Sequence, residues 1–193
     1  MRVFVAGATG VIGLRLLPLL IAEGHTVAGM TRSPEKSASL RALGAEPVVC
    51  DVFDAPALTE AMTTFEPDVV VHQLTDLPDD RDQLSDFAAR NDRMRTEGTR
   101  NLVDAAGAAG AHHLLAQSIA WRPAGRGQAV DALERQVLDA NGVVVRYGQL
   151  YGPGTFYEHE LPSHPRIHVD EAARRTPPLI LADSGVYALE DAP

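Results

Sequence analysis

Three glycines near the start of the chain constrain its fold more than any other feature. Gly7, Gly10 and Gly13 follow a short apolar run and precede a helical pattern at residues 14–23. Glycines at a strand-to-helix junction allow a tight turn and let a pyrophosphate approach the backbone N–H groups at the helix N-terminus. The spacing alone is weak evidence, but its position between a strand and a helix favours a dinucleotide-binding loop over an ordinary glycine turn.

The rest of the chain alternates between short apolar runs and helical patterns. The apolar runs, which predict buried strands, are residues 3–6, 26–30, 47–50, 69–72, 113–116 and 143–146. The helical patterns are residues 14–23, 34–43, 56–65, 82–109 and 129–140. This alternation predicts an α/β fold in which helices cover both faces of a doubly wound parallel sheet.

The chain becomes rich in proline and glycine after Gly148. We therefore expect residues 1–148 to form the dinucleotide-binding domain. Residues 149–193 are expected to form a short, irregular substrate or lid segment that packs on the same domain.

Charge and cysteine content limit the partners and the compartment. The formal net charge of −9 disfavours nucleic acid and anionic membranes as partners. The single cysteine, Cys50, excludes an intrachain disulfide framework and fits a reducing compartment. We see neither a charged leader before an apolar core nor a long apolar span, so we expect a cytoplasmic protein without a membrane helix.

The end of the second predicted strand bears on the choice of cofactor. NAD sites usually place an Asp or Glu there for the ribose hydroxyls, but this chain has Thr31, Arg32 and Ser33. Arg32 can bind a 2′-phosphate with two N–H groups, Ser33 can donate a hydrogen bond to it, and Lys36 can add charge. The same segment also suits a helix start capped by Ser33. The sequence favours NADP over NAD.

The remaining predicted cofactor contacts follow the carboxyl ends of the strands, where doubly wound sheets bind their ligands. They are Thr9, Val11 and Ile12 in the glycine loop, Asp51 and Val52 after the third strand, Gln73 and Leu74 after the fourth, Gln117 after the fifth, and Tyr147 after the sixth. A helix-entry loop explains Asp51 and Val52 equally well.

Several segments in order along the chain resemble the short-chain dehydrogenase/reductase superfamily, in the extended or atypical form that includes NAD-dependent epimerases and dehydratases. The matching segments are residues 7–13, 51–52, 68–72, 91 with 97–102, 117–118, 146–154 and 168–173. The resemblance implies a Rossmann core, a nicotinamide cofactor and a small substrate bound beneath the C-terminal segments.

The chain departs from this family at the proton relay. The family has a Ser or Thr after the fifth strand and a Tyr-x-x-x-Lys on the next helix. The positions equivalent to that Tyr and Lys are Val130 and Glu134, and the only lysine of the chain is Lys36. Ser118 matches the first member of the relay, although a strand-end hydroxyl explains it equally well. Ser118 and Tyr151, a tyrosine of the cofactor-side loop, are the candidate catalytic residues.

Two other departures concern substrate binding. The loop at residues 119–127 is brief for the family. Residues 185–193 look like the strand and turn that lead into the further substrate region of extended members.

The histidines suggest little chemistry of their own. His159, His164 and His168 lie on a proline-broken segment without paired-ligand spacing, so no metal site is expected. For His72, a strand-end histidine bonded to backbone is favoured over a general acid or base.

These observations lead to three functional hypotheses. The first is an NAD(P)-dependent oxidoreductase or epimerase-like protein that acts on a small carbonyl or hydroxyl compound with a degenerate relay. The second is a non-catalytic NADP-binding sensor or regulator, and the third is a scaffold that keeps only the fold. We expect a small molecule as partner and leave a homodimer open.

Overall fold

The computed structural model describes residues 1–78, 80–121 and 127–192. Its strands are β1 (Arg2–Ala6), β2 (Thr26–Thr31), β3 (Glu46–Val49), β4 (Val69–His72), β5 (His113–Ile119), β6 (Val143–Tyr147), β7 (Gln149–Tyr151), β8 (Arg166–His168) and β9 (Gly185–Leu189). Its α-helices are α1 (Gly13–Ala22), α2 (Ser37–Ala42), α3 (Ala55–Phe65), α4 (Ala88–Arg93), α5 (Thr99–Ala108), α6 (Gly127–Asp139) and α7 (Val169–Arg175).

Seven parallel strands form the central sheet in the order β3-β2-β1-β4-β5-β6-β9. The strand order reverses between β1 and β4, because the chain first winds toward β3 and then returns toward β9. A crevice opens at such a reversal, beyond the carboxyl ends of the strands. The predicted doubly wound α/β fold is confirmed.

Both faces of the sheet are buried, as the continuous apolar strands predict. Successive residues of β1 point to opposite faces: Val3 and Val5 belong to one core cluster, and Phe4 and Ala6 belong to the other. The first cluster includes residues of α1 and α7, and the second includes residues of α3, α5 and α6. Among the described residues, no helix has the length and apolar character needed to cross a bilayer.

The long helix predicted at residues 82–109 is wrong as a single element. It is divided into a 3-10 turn at Arg81–Gln83, the short α4, a π-helical turn at Met94–Gly98, and α5. The π turn covers only five residues, too few for a sequence pattern to distinguish it from the α-helical turns on either side.

The segment after Gly148 is more regular than the sequence indicates. It contains α7, and β9 lies alongside β6 at the edge of the main sheet. Arg15 of α1 connects the segment to the helix that follows the glycine loop. Its Nε lies 2.6 Å from an Asp170 oxygen, and its Nη2 donates to the Pro153 carbonyl at 2.7 Å. Because this segment is rich in proline, its sequence did not predict these short elements.

Candidate functional site

A cleft of about 940 Å³ opens at the carboxyl edge of the sheet. The glycine loop and the residues that follow β2, β4, β5 and β6 form its walls, and residues 154–158 lie along another side. Its position coincides with the strand-order reversal, where this fold class binds ligands.

The three glycines of the loop have different roles. Gly7 has φ +85°, and a Cβ there would lie 2.6 Å from the backbone carbonyl carbon and oxygen of Gln73. A Cβ at Gly13 would overlap the Gly7 carbonyl oxygen. These two glycines are therefore required by the packing of the loop. Gly10 lines the cleft, and the Gly7 oxygen at 3.3 Å is the nearest atom to its Cβ position, so its missing side chain leaves room for a ligand.

The end of β2 brings basic and hydroxyl groups to the cleft. Arg32, Ser33 and Lys36 all line it. The Ser33 hydroxyl makes no capping bond to the following turn, so the capping alternative is not observed. The Arg32 side chain is 46% exposed and lies 3.8 Å from Asp76, a carboxylate to which Arg90 already donates two bonds of 3.1 Å. The Arg32 guanidinium therefore remains accessible to an anion.

Most of the predicted cofactor contacts meet in this cleft. Those that line it are Gly7, Thr9, Gly10, Val11, Ile12, Thr31, Arg32, Ser33, Val52, Gln73, Leu74, Gln117 and Tyr147. Gly13 packs beneath the loop instead. The Asp51 carboxylate accepts the Phe53 N–H at 3.0 Å, as in a helix-entry turn, and Asp51 is not among the described lining residues.

Of the two candidate catalytic residues, Ser118 lines the cleft and Tyr151 does not. The Tyr151 hydroxyl donates to Asp191 at 2.9 Å, and its ring meets the edge of His168 at a centroid distance of 5.2 Å. The hydrogen bond to the Asp191 carboxylate, with some burial, raises the pKa of Tyr151. This tyrosine connects β7 to the C-terminal segment.

A directed chain of hydrogen bonds orients Gln73 at the floor of the cleft. The Thr176 hydroxyl donates to the Ala172 carbonyl at 2.8 Å, so Tyr147 must donate to Thr176 across 2.7 Å. The Tyr147 oxygen then accepts from the Gln73 amide nitrogen at 3.2 Å. Burial raises the pKa of Tyr147, which stays protonated.

The same series of hydrogen bonds leaves one acceptor of Gln73 without a donor. Gln73 is 6% exposed, and its Oε1 is buried without a hydrogen-bond partner among the described residues. Buried polar atoms are normally paired, so an unpaired one at a cleft invites a ligand donor. Together with the space above Gly10, this oxygen fits a dinucleotide, whose ribose hydroxyls are donors and whose pyrophosphate needs close backbone approach.

A buried ion pair includes one of the two residues predicted to be equivalent to the family's relay. Val130 is buried, and Glu134 of α6 is also buried, with 6% of its surface exposed. Arg146 of β6 donates two bonds to the Glu134 carboxylate, at 2.8 and 2.6 Å, and Ser118 donates to the same carboxylate at 2.6 Å. The bond to Glu134 raises the pKa of Arg146. A buried carboxylate paired with an arginine therefore lies at the position predicted for the lysine, and neither Glu134 nor Arg146 is among the described residues that line the cleft.

His72 has a structural role. The Leu74 N–H donates to its Nδ1 at 3.2 Å, so its Nε2 carries the proton and donates to Thr99 at 3.0 Å. Burial lowers the pKa of His72 to about 4, so the ring is neutral near pH 7. Within the described part of the chain, no group of three or more His, Cys, Asp or Glu side chains could hold a metal ion.

Several further residues line the cleft beyond the predicted cofactor and catalytic residues. They include Thr75, Leu77, Asn91, Arg95, Trp121 and Tyr157. Arg95 lies in the π turn, which the sequence does not reveal, and burial lowers its pKa. For Tyr157 and Trp121, the sequence signal that could have placed them in the cleft was their position after strands. Residues 122–126 of the brief substrate loop lie outside the described residues.

A family model described as NAD(P)H-binding matches residues 7–144, which is most of the chain. The chain belongs to the NAD(P)H-binding family. The matched range begins at the first glycine of the loop and ends in β6, so it contains every predicted cofactor contact of the cleft except Tyr147.

Two curated relatives of this NAD(P)H-binding chain are reductases by name. It is 42% identical over 185 residues to the 3-diazoavenalumate denitrifying reductase of a Streptomyces species, covering 83% of this chain and 60% of the relative. It is 33% identical over 182 residues to a 4-hydroxy-2-methyl-3-oxo-4-farnesyl-3,4-dihydroquinoline-1-oxide ketoreductase of Stigmatella aurantiaca, covering 79% of this chain and 51% of that relative. The chain thus spans only half to three fifths of the length of these relatives.

The fold is also that of a solved epimerase. The crystal structure of the Thermus thermophilus UDP-glucose 4-epimerase in complex with NAD matches with a TM-score of 0.80 at 19% identity, over 100% of this chain and 78% of that chain. The resemblance to extended short-chain dehydrogenases and reductases is confirmed at the level of the fold.

Proposed function

We propose that this chain is an NADP-dependent oxidoreductase or epimerase-like protein that acts on a small organic substrate. The observation that carries the proposal is the cleft itself: Gly10 and Gln73 both line it, and the buried Gln73 Oε1 has no hydrogen-bond partner among the described residues. The nicotinamide supplies hydride chemistry when bound. The residues of the chain bind the dinucleotide, exclude water and position the substrate beside it.

Several groups support NADP rather than NAD. Arg32, Ser33 and Lys36 line the cleft where NAD sites usually carry a carboxylate, and Asp76 is already paired with Arg90. A charge-assisted phosphate contact contributes roughly 1.5–3 kcal/mol, which corresponds to about 10- to 150-fold in affinity.

Calorimetric titration with NADPH and NADH tests this proposal. We expect NADPH to bind more tightly, and Arg32→Ala to remove most of that difference while leaving NADH binding nearly unchanged. Arg41→Ala, at an exposed arginine near the end of α2, is the matched control. Equal affinities of the unmodified protein for both cofactors would overturn the assignment.

The relatives suggest two substrate classes. A ketoreductase reduces a carbonyl group, which agrees with the carbonyl or hydroxyl substrate expected from the family. The other relative is named for a diazo compound and a denitrifying reduction. Ser118 is the described cleft residue that we place beside the reacting group.

A non-catalytic sensor or regulator is the second candidate, and the replacement of the relay lysine by Glu134 favours it. The sensor hypothesis expects tight NADPH binding without oxidation of the bound cofactor by any substrate. Single-turnover measurements across carbonyl and diazo compounds distinguish the two candidates.

We also propose a cytoplasmic location, supported by the single buried cysteine, and a division of the chain at residue 148 into a dinucleotide-binding domain and a segment packed on it. A homodimer is a further proposal, which sedimentation equilibrium would test.

A further inference from the structure

The cleft is lined mainly by basic charges, although the chain as a whole is acidic, with a formal net charge of −9. Among the described residues that line the cleft, basic side chains outnumber acidic ones. The basic residues are Arg32, Lys36, Arg81 and Arg95, and the acidic residues are Asp92 and Glu158. A cleft in which one sign of charge predominates attracts ligands of the opposite sign. The cleft is therefore suited to anionic ligands.

The basic residues other than Arg95 have a partner or an assigned ligand. Arg32 and Lys36 are assigned to the 2′-phosphate of NADP by the proposed function. The Arg81 guanidinium lies 3.4 Å from a Glu160 oxygen and 4.6 Å from the centre of the Tyr157 ring, a distance typical of a cation–π contact. Neither assignment includes Arg95.

Arg95 lies on the side of its helical segment that is turned toward the end of β4. Asn91, four residues earlier, accepts the Asp76 N–H at 3.1 Å, and Thr99, four residues later, bonds to His72 at 3.0 Å. Side chains four residues apart share one side of a helix. Arg95 lies between these two contacts, in the π-helical turn, and such turns often occur at functional sites.

The Arg95 guanidinium is partly buried and has no partner in the described part of the chain. Across residues 1–78, 80–121 and 127–192, it makes neither a hydrogen bond nor an ion pair. Burial lowers the pKa of Arg95, and the charge of Asp92, three residues earlier, opposes this effect only in part. A guanidinium does not lose its proton in proteins, so a bound anion is what can offset the cost of its burial.

We propose that Arg95 binds a carboxylate group of the substrate, so that this cleft takes small organic acids beside the cofactor. The inference rests on the proposed function and narrows its substrate class. A planar guanidinium and a planar carboxylate form two parallel N–H···O bonds, which fix the orientation of the substrate as well as contributing affinity. Arg95 is a binding residue that holds the non-reacting end of the substrate and transfers no proton.

The position of Arg95 favours the substrate over the cofactor as the source of the anion. The phosphate contacts proposed for the cofactor follow β1 and β2, on one side of the strand-order reversal, whereas Arg95 lies in the connection between β4 and β5, on the other side. The turn that carries Arg95 also packs against α6, since Gln136 donates to the Thr96 carbonyl at 3.3 Å. Glu134 of the same helix accepts the bond from Ser118, the candidate catalytic residue.

Titration of benzoate and of its neutral isostere benzamide into the NADP⁺-saturated protein tests the inference. Because the cofactor already occupies its own phosphate contacts, a preference for benzoate reports a separate anion site. We expect benzoate to bind at least about 10-fold more tightly than benzamide. Arg95→Gln should reduce this preference to near unity and leave NADPH affinity unchanged. Arg95→Lys, which keeps the charge but not the planar fork, should retain part of the preference.

Arg81→Gln is the matched control, because Arg81 lines the same cleft but is paired with Glu160. This variant should keep the preference for benzoate. Thermal unfolding of each variant verifies that it is folded before titration.

Asp92→Asn supplies an independent test that leaves Arg95 in place. The substitution removes the negative charge near Arg95, so benzoate should bind more tightly than it does to the unmodified protein. Weaker binding of benzoate to this variant would contradict the inference.

Equal affinities for benzoate and benzamide in the unmodified protein would overturn the inference, and so would a preference that survives in Arg95→Gln. A loss of NADPH affinity of about 10-fold or more in Arg95→Gln would assign Arg95 to the phosphates of the cofactor and would overturn it as well. Failure of the unmodified protein to bind NADPH would instead count against the proposed function. The same titrations without cofactor would then decide the inference, which requires the benzoate preference to depend on Arg95 and not on Arg32.

Discussion

The two halves of the cleft have changed to different extents relative to the family pattern. The cofactor half retains the glycine loop and a basic strand end at Arg32, with an unpaired acceptor at Gln73. The reacting half contains Ser118, and behind it lie Val130 and Glu134, the residues predicted to be equivalent to the family's tyrosine and lysine. Backbone packing fixes the first half, because Gly7 and Gly13 have no space for a side chain. A few side chains determine the second, and they can change without disturbing the sheet.

The largest expected effect is a loss of NADPH binding in the cofactor half of the cleft. Gly10→Val places a branched side chain in the space proposed for the pyrophosphate, and we expect NADPH affinity to fall by about 100-fold or more. Calorimetric titration of the folded variant measures this loss. Gly107→Val is the control, since a Cβ at this helical glycine of α5 meets no atom within 4 Å. Unchanged affinity in Gly10→Val would mean that the glycines serve only the turn.

The next largest effect is a loss of folding stability when the Glu134 carboxylate is removed. Glu134→Ala leaves Arg146 and Ser118 without the carboxylate that pairs them. Removing one partner of a buried ion pair costs about 3–5 kcal/mol, and we expect about 2–3 kcal/mol here because the Arg146 side chain is 35% exposed. Urea unfolding measures the change. Glu171→Ala should have a much smaller effect, and equal losses from both variants would show that the inner pair contributes no more than a surface pair.

Sequence reasoning succeeded where one local pattern determines the outcome. The strand at residues 69–72 was predicted with the bounds that β4 has, because a short run of β-branched apolar residues favours a buried strand over a helix. Arg32 and Ser33 were placed in the cleft because strand ends meet at one edge. The same rule placed Gln73 there, although its unpaired oxygen depends on Tyr147 and Thr176, which are distant in the chain.

Sequence reasoning failed where the outcome depends on partners that are distant along the chain. Glu134 and Arg146 lie on different elements, and nothing in either segment indicates that they pair. Tyr151 resembled a member of the cofactor-side loop, but its hydroxyl bonds to Asp191, 40 residues later. The π turn at Met94–Gly98 was missed because it covers only five residues.

A third prediction concerns His72 and the dependence of the protein's folding stability on pH. The pKa of His72 is lowered to about 4 in the folded chain, against 6.5 for an unperturbed histidine. Between these values the unfolded chain binds more protons, so stability is fully present above pH 6.5 and is lost as the pH falls toward 4. This linkage predicts a loss of roughly 2 kcal/mol between pH 7 and pH 5.

Urea unfolding at several pH values measures this dependence. His72→Gln should flatten the slope in this window, and His112→Gln, at an exposed histidine, should retain it. A parent slope that survives in His72→Gln would assign the dependence to other groups.

The smallest expected effect is that of Tyr151→Phe. This variant tests whether Tyr151 belongs to the reacting half of the cleft. Tyr151→Phe removes the bond to Asp191 at a site outside the described lining of the cleft, so we expect less than about a twofold change in NADPH affinity and in single-turnover rate. A tenfold loss of rate with unchanged affinity would return Tyr151 to the catalytic site.

The contrast between the two halves can be measured most directly in one stopped-flow experiment with the unmodified protein. NADPH is bound first and followed by its fluorescence, and a simple ketone is then mixed in under single-turnover conditions. We predict saturable NADPH binding and slow oxidation of the bound cofactor by the ketone, because α6 carries no Tyr-x-x-x-Lys pair to protonate the product. Rapid ketone reduction, or no binding of NADPH, would contradict this prediction.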